Sequence, residues 1–166
     1  MQPISAEIVE KTWQKLAQMK PAEAIKMVEE AGKKQPALLA YLMGVGGDAF
    51  DQEEREIMLY IGFVVWKIMA QGNASLPVIS LEDLEAAEDA NFKLLEKLSE
   101  ESPGDFISMV DSMLSRYNQP EVLKYVVEAL MEDEEGDMAM EADDEEENMG
   151  LMMIYLKTVV DCLDAA

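Results

Sequence analysis

Apolar residues recur along this chain every three or four positions, which is the spacing that places them on one face of an α-helix. Ile8, Val9 and Leu16 follow this spacing early in the chain, and Leu94 and Leu98 follow it later. No segment alternates apolar and polar residues over a long stretch, as a half-buried strand does. The pattern therefore predicts an all-α protein.

Residues that favour helix ends divide the first half into four predicted helices. Ser5 is a favourable N-cap, and Pro21 and Pro36 suit the first turn of a helix, where a proline loses no intrahelical hydrogen bond. Asp51 followed by Glu54 has the spacing of a capping box. The predicted helices span Ser5–Met19, Pro21–Gly32, Pro36–Gly44 and Asp51–Ala70.

The second half of the chain repeats the first with two insertions, since Lys11–Ala70 recurs as Lys93–Ala165. Identical equivalent residues include Lys15 and Lys97, Pro21 and Pro103, Gln35 and Gln119, Tyr41 and Tyr125, and Tyr60 and Tyr155. Such self-similarity is the signature of a duplicated structural unit, so the second half is expected to form four helices as well. Their predicted starts are Ser80 as a cap, Pro103, Pro120, and a last helix over Asn148–Leu163.

The fourth helix and its copy are apolar around most of their circumference, and helices with so little polar face belong in the interior of a protein. We therefore predict two tandem four-helix repeats that pack around this pair as a pseudo-two-fold helical bundle. The first repeat covers residues 1–72, a linker covers 73–79, and the second repeat covers 80–166, all in one compact domain. A short α-solenoid of helical hairpins is the alternative.

The composition is that of a globular protein without disulfides. Hydrophobic residues make up 49% of the 166 residues, and Cys162 is the single cysteine. The N-terminal sequence lacks the basic and apolar regions of a secretory signal. The longest uncharged apolar run, Ile57–Trp66, is about half of what a bilayer-spanning helix needs. These features predict a cytoplasmic protein without a membrane partner.

The net charge of −22 is distributed very unevenly. Residues 1–79 carry ten acids and eight bases, whereas residues 80–166 carry twenty-five acids and five bases. An electrostatic field of this sign repels phosphate groups and attracts basic proteins. It predicts a basic protein partner and no direct binding to nucleic acid.

Eleven acids and no base occupy Glu132–Glu147, where the first copy has only the loop Gly44–Phe50. Like charges at this density oppose helix formation and leave little to bury, so we predict that this acidic insert is a mobile, solvated loop. We assign partner binding to ten of its acids: Glu132, Asp133, Glu134, Glu135, Asp137, Asp143, Asp144, Glu145, Glu146 and Glu147.

Several chemistries lack the residues they need. The chain has no histidine, which removes Ser-His-Asp and Cys-His catalysis and the usual zinc sites. An EF-hand loop with Gly136 at its sixth position would have Met131 first and Ala142 twelfth, so the acids do not form that motif. Cys162 follows the apolar stripe of the last helix, and we interpret it as core packing. The sequence therefore predicts no catalytic residue, no cofactor and no metal site.

These observations favour a non-enzymatic adaptor or regulatory protein that binds a basic protein through its acidic surface. Two alternatives stay open. One is a nucleic-acid mimic that inhibits a DNA-binding protein. The other is a metal-dependent hydrolase using helical carboxylates, for which Glu82, Glu85 and Glu88 share one helix face. Acids spread along helix faces favour mimicry, whereas acids in a mobile loop favour a general electrostatic contact.

Overall fold

The computed structural model describes residues 1–73, 75–101, 106–135 and 142–165. Within these residues the chain forms eight α-helices and no strand, so the predicted all-α class is confirmed. The helices are α1 (Ala6–Ala17), α2 (Pro21–Lys34), α3 (Pro36–Gly44), α4 (Gln52–Gly72), α5 (Leu81–Glu101), α6 (Phe106–Leu114), α7 (Pro120–Glu135) and α8 (Ala142–Ala165). A short 3₁₀ turn, Gly47–Ala49, precedes α4.

Side-chain caps begin several helices at the positions predicted from the sequence. The Ser5 hydroxyl accepts a hydrogen bond from the Ile8 N–H at 3.3 Å, and Ser80 caps α5 in the same way. Asp51 Oδ1 accepts from the Glu54 N–H at 2.8 Å, while Glu54 Oε1 accepts from the Asp51 N–H at 3.1 Å. These two reciprocal bonds complete the predicted capping box of α4.

The ends of α1 and α2 differ from the prediction, and α4 and α8 each extend two residues beyond their predicted ends, to Gly72 and Ala165. α1 ends two residues before Met19, because Lys20 precedes a proline and takes the extended backbone (ψ 156°) that such a residue prefers. α2 passes through Gly32 and ends at Lys34, since a single glycine weakens a helix interior without stopping it. The predicted helix start at Pro103 lies outside the described residues.

The acidic insert is more helical than predicted. Residues 132–135 continue α7 and residues 142–147 form the first turns of α8, so the expectation of an irregular loop is wrong for these residues. Glutamate is a good helix former, and α7 enters the insert directly from the buried Leu130. Acids at the start of α8 also interact favourably with the positive end of its dipole. Residues 136–141 lie outside the described residues.

α4 and α8 pack against each other in the centre of one hydrophobic core. Most residues of Met58–Met69 in α4 and of Met152–Leu163 in α8 are buried. The same core includes Leu42 from the first half and Leu123 from the second. The prediction that this helix pair forms the interior is therefore confirmed, and both halves share the core.

The other helices contact this pair in a pattern that repeats between the halves. α1 packs on α4 as α5 packs on α8, and α3 packs on α4 as α7 packs on α8. One pair of contacts between the halves is reciprocal, because α1 packs on α7 and α5 packs on α3. α7 also packs on α4, whereas α3 and α8 make at most a slight contact within the described residues. A pseudo-two-fold bundle requires such reciprocity. A solenoid restricts contacts to neighbouring hairpins, so the contact of α1 with α7 does not fit the solenoid alternative.

Candidate functional site

The start of α4 and the N-terminal part of α8 lie side by side, and one side chain joins them. Asn148 Nδ2 donates a hydrogen bond to Glu54 Oε2 at 2.9 Å and to a carbonyl oxygen of the preceding 3₁₀ turn at 3.5 Å. At the opposite end, the Met1 amino group donates to the Asp164 carbonyl oxygen at 3.2 Å, and the Met1 side chain lies against Gly72. α4 and α8 therefore run in the same direction and begin at the same end of the molecule.

The first half contributes four exposed acids to this end: Asp48, Asp51, Glu53 and Glu56. The one base in the same stretch of sequence, Arg55, donates to the carbonyl oxygens of Val45 and Gly47. Between those residues, Gly46 has a φ of 82°, a left-handed conformation that favours glycine. Arg55 therefore holds the tight loop before α4, and the side chains exposed here are mainly acidic.

The second half brings predicted partner-binding residues to the same end. Glu132, Asp133, Glu134 and Glu135 form the last turn of α7, and Asp143, Asp144, Glu145, Glu146 and Glu147 lie in the first two turns of α8. Glu132 is exposed, and Asp137 lies outside the described residues. We call the end of the molecule where residues 48–56, 132–135 and 142–147 lie the acidic end.

Helix electrostatics explain only part of this negative charge. Acids in the first turns of α4 and α8 lie where the helix dipole stabilises negative charge, by about 0.3–1 kcal/mol per residue. Residues 132–135 lie at the C-terminus of α7, where the same dipole disfavours acids. The stability of α7 therefore does not explain the acids at its C-terminus. Their presence favours a role at the protein surface instead.

Two exposed methionines accompany the acids. Met43 lies one residue before the end of α3 and is 57% exposed, and Met131 directly precedes the acidic turn of α7 and is 37% exposed. The methionine side chain is flexible and polarisable, and it is common on surfaces that bind varied partners. The acidic end thus combines negative charge with adaptable apolar contact area.

The carboxylates considered for a hydrolase have different surroundings. Glu88 Oε1 accepts a hydrogen bond from the Tyr41 hydroxyl at 2.8 Å, whereas Glu82 and Glu85 are exposed on α5. Burial and this neighbouring Glu88 carboxylate raise the pKa of Tyr41 above its usual range. Within the part of the chain that the structure describes, no three acids or cysteines lie close enough together to hold a metal ion.

Cys162 is buried in α8, as its position in the apolar stripe predicted. Its sulfur lies 3.5 Å from the carbonyl oxygen of Asp83. Burial, with smaller contributions from Asp161 and Asp83, raises the pKa of the thiol to about 11. A thiol with so high a pKa is a poor nucleophile at neutral pH.

A buried polar cluster that the sequence pattern did not reveal connects α5 with α8. Lys157 Nζ donates to Asn91 Oδ1 at 2.6 Å and to Asp161 Oδ2 at 2.9 Å. The Tyr117 hydroxyl donates to the other Asp161 oxygen, and burial together with that carboxylate raises the pKa of Tyr117. The available signal was the i, i+4 pair of Lys157 and Asp161 within the mainly apolar part of α8, residues 149–163.

No helix in the described part of the chain is long and apolar enough to cross a membrane. No protein-family model matches the chain, and neither the curated proteins nor the solved structures contain a match. The geometry of the acidic end is therefore the basis for a proposed function.

Proposed function

We propose that the protein is a non-enzymatic cytoplasmic adaptor or regulatory protein whose acidic end binds a basic protein partner. The observation that carries this proposal is the hydrogen bond between Asn148 and Glu54, which joins the acidic starts of α8 and α4 in one surface. This surface draws on both halves of the chain, although the first half as a whole is nearly neutral.

The chemistry of the acidic end defines the partner. Dense carboxylates repel phosphate groups and attract lysine and arginine side chains. Charges of this kind chiefly accelerate and orient association, while apolar contacts supply much of the affinity. Met43 and Met131 provide such contacts beside the acids. The expected partner therefore presents a basic segment with apolar side chains between its charges.

Affinity capture from a cytoplasmic extract, with three baits, tests the proposal. The first bait is the wild type, the second carries D143N, D144N, E145Q, E146Q and E147Q, and the third carries E82Q, E85Q, D89N, E96Q and E100Q. The five α5 acids of the third bait are exposed, and both variants lose five negative charges. We expect a basic partner to bind the wild type and the α5 variant and to be lost from the α8 variant.

The same partner, once purified, also tests the contribution of the first half. A variant with D48N, E53Q and E56Q leaves the α4 cap Asp51 intact. We expect it to weaken binding measurably, although its acids are far in sequence from the acidic insert. If the α5 variant loses the partner as fully as the α8 variant does, net charge alone governs binding and the proposal is wrong.

A second candidate function is mimicry of nucleic acid. Nine of the eleven acids in the insert lie on helical backbone, which supports the arrangement that mimicry requires. The partner would then be a DNA-binding protein, and a DNA duplex would compete with this protein for it. Displacement of a fluorescent duplex from the purified partner supports mimicry. Simultaneous binding of the duplex and this protein supports the adaptor function instead.

A further inference from the structure

A groove of about 380 Å³ opens between α5, α8 and the C-terminal end of α6. Lys97 and Leu98 line it from α5, Met113 and Arg116 from α6 and the turn that follows, and Lys157 from α8. We call it the basic groove. Three of the five bases among residues 80–166 line this groove, and none of its lining residues is acidic. The most acidic half of the chain thus concentrates its positive charge around one cavity.

The three bases have different surroundings. Lys157 is buried, and its ammonium group is hydrogen-bonded to Asn91 and Asp161. Lys97 and Arg116 are exposed, and neither side chain makes a hydrogen bond or an ion pair with another residue that the structure describes. Their positive charges are therefore available to a ligand, while Lys157 contributes to the wall of the groove.

The groove also has an apolar wall. Leu94 and Leu98 are half-buried and Met113 is buried, and the ring of Tyr117 lies beside them. The Tyr117 hydroxyl donates a hydrogen bond to Asp161. A volume of about 380 Å³ lies within the range of small-molecule sites, roughly 300–1,000 Å³. Size and lining together fit a small ligand with one charged end.

The corresponding groove of the first half has two acids in its lining, Glu23 and Glu30. It lies between α1, α2 and α4, has a volume of about 500 Å³, and includes Lys15–Leu16 at the position of Lys97–Leu98. Of these two acids, Glu30 pairs with Lys67 at 3.3 Å. Ser112 occupies the position of Glu30 in the second half. The second half thus lacks a carboxylate at this position, although it is the more acidic half, and Lys97 and Arg116 have no ion-pair partner among the described residues.

We propose that the basic groove binds a small organic anion. Its phosphate or carboxylate group would lie between Lys97 and Arg116, because the guanidinium fork suits the paired oxygens of either group. Its apolar body would lie along Leu94, Leu98 and Met113. The distant acids oppose this binding only weakly at physiological salt, since charges more than about 8 Å away are largely screened. This proposal is independent of the function assigned to the acidic end.

Isothermal titration at about 0.15 M salt with octyl phosphate, octanoate and inorganic phosphate tests the proposal. We expect octyl phosphate or octanoate, whichever head group the site prefers, to bind about tenfold more tightly than inorganic phosphate, because only they reach the apolar wall. The variant K97Q/R116Q is expected to lose about tenfold or more in affinity for the preferred probe. S112E, which restores the carboxylate found in the first half, is expected to weaken binding similarly.

The remaining two bases of the second half supply a matched control. K93Q/K124Q removes the same charge from exposed positions that do not line the groove, and it is expected to leave affinity within about twofold. An equal loss in K93Q/K124Q and K97Q/R116Q would attribute binding to the general field and overturn the proposal. Absence of octyl phosphate and octanoate binding at millimolar concentration, or unchanged binding in both K97Q/R116Q and S112E, would also overturn it.

Discussion

Gln35 and Gln119, which stand at equivalent positions directly before a proline, each bind the segment that leads into the first helix of the other half. Gln35 Oε1 accepts from the Ile79 N–H at 2.9 Å, and its amide donates to the carbonyl oxygen two residues earlier at 2.9 Å. Gln119 makes the same pair of bonds with Ile4 and the carbonyl oxygen two residues before it, at 2.9 and 3.0 Å. Both glutamines are buried. Two equivalent pairs of hydrogen bonds therefore join the halves.

We expect Gln35→Ala and Gln119→Ala each to lower the free energy of unfolding by about 1–3 kcal/mol, because each leaves buried backbone groups at Ile79 or Ile4 without a partner. Urea unfolding measures the change. Gln14→Ala is the control, since Gln14 is exposed and bonds only to Glu10 on its own helix, and its effect should stay within about 0.5 kcal/mol. Equal changes in the free energy of unfolding at all three glutamines would show that the hydrogen bonds of Gln35 and Gln119 do not stabilise the fold.

The reciprocal hydrogen bonds of Gln35 and Gln119 agree with the prediction of pseudo-two-fold symmetry. In an experimental structure, Lys11–Ala70 should superpose on Lys93–Ala165 when the insertions are left out. Tyr41 should then coincide with Tyr125, and Tyr60 with Tyr155. A different order or packing of helices in the second copy would contradict the duplication, whatever the sequence identity of the two halves.

Tyr117 is expected to make the free energy of unfolding depend on pH in the alkaline range. Burial, and next the Asp161 carboxylate, raise its pKa above the ordinary value of 10.0. Below pH about 10 the Tyr117 side chain is neutral in both the folded and the unfolded protein, and its contribution to stability is fully present. As the pH rises further, Tyr117 ionises in the unfolded chain before it ionises in the folded protein, so this contribution is lost. Tyr117→Phe should therefore show a shallower loss of stability above pH 10 in urea unfolding. A loss of stability above pH 10 that is as steep in Tyr117→Phe as in the wild type would contradict this prediction.

Replacing residues 132–147 with the sequence of Gly44–Phe50 is expected to leave the helical core folded. The described core ends at Leu130 in α7 and resumes at Met152 in α8, so the replaced segment lies between core residues. Loop length changes stability only slowly, and the free energy of unfolding should change by about 1 kcal/mol or less. Urea unfolding followed by circular dichroism should remain cooperative. A broad, non-cooperative transition would place part of the insert in the core.

Neutralising Asp143–Glu147 to the corresponding amides should slow association with the basic partner more than it accelerates dissociation. Exposed charges act mainly on the encounter step, and their effect weakens as salt rises. Surface plasmon resonance over a range of salt concentrations separates the two rate constants. The α5 variant with five neutralised acids should keep most of the wild-type association rate. If the association rate constant changes with neither salt nor these substitutions, the charge serves solubility and not partner binding.

The helix starts were predictable because they depend on neighbouring residues. A cap such as Ser5 or Asp51 bonds to a backbone group three positions away, and a proline in the first turn acts on its own backbone. The interior position of α4 and α8 was predictable for a similar reason, because a helix that is apolar on nearly all sides has to be buried. Local hydrogen bonding and hydrophobic periodicity can both be inferred from the amino-acid sequence.

The acidic insert shows where this local reasoning stops. Its charge density predicts a loop, yet α7 continues through Glu135 and α8 begins at Ala142. Packed apolar segments on either side, ending at Leu130 and resuming at Met152, hold the two helices that extend into it. The energy of that packing belongs to the assembled core and is absent from the charge pattern of the segment alone.

The sequence by itself determined the helical class, most helix starts and the acids of the insert, and it predicts the duplication. Only the tertiary structure placed Glu54 beside Asn148 and so extended the acidic end into the near-neutral half. It also brought Lys97, Arg116 and Lys157 from three parts of the chain to one groove. The physical reason is that a cap or an apolar stripe acts within a few residues, whereas these sites depend on how distant helices pack against one another.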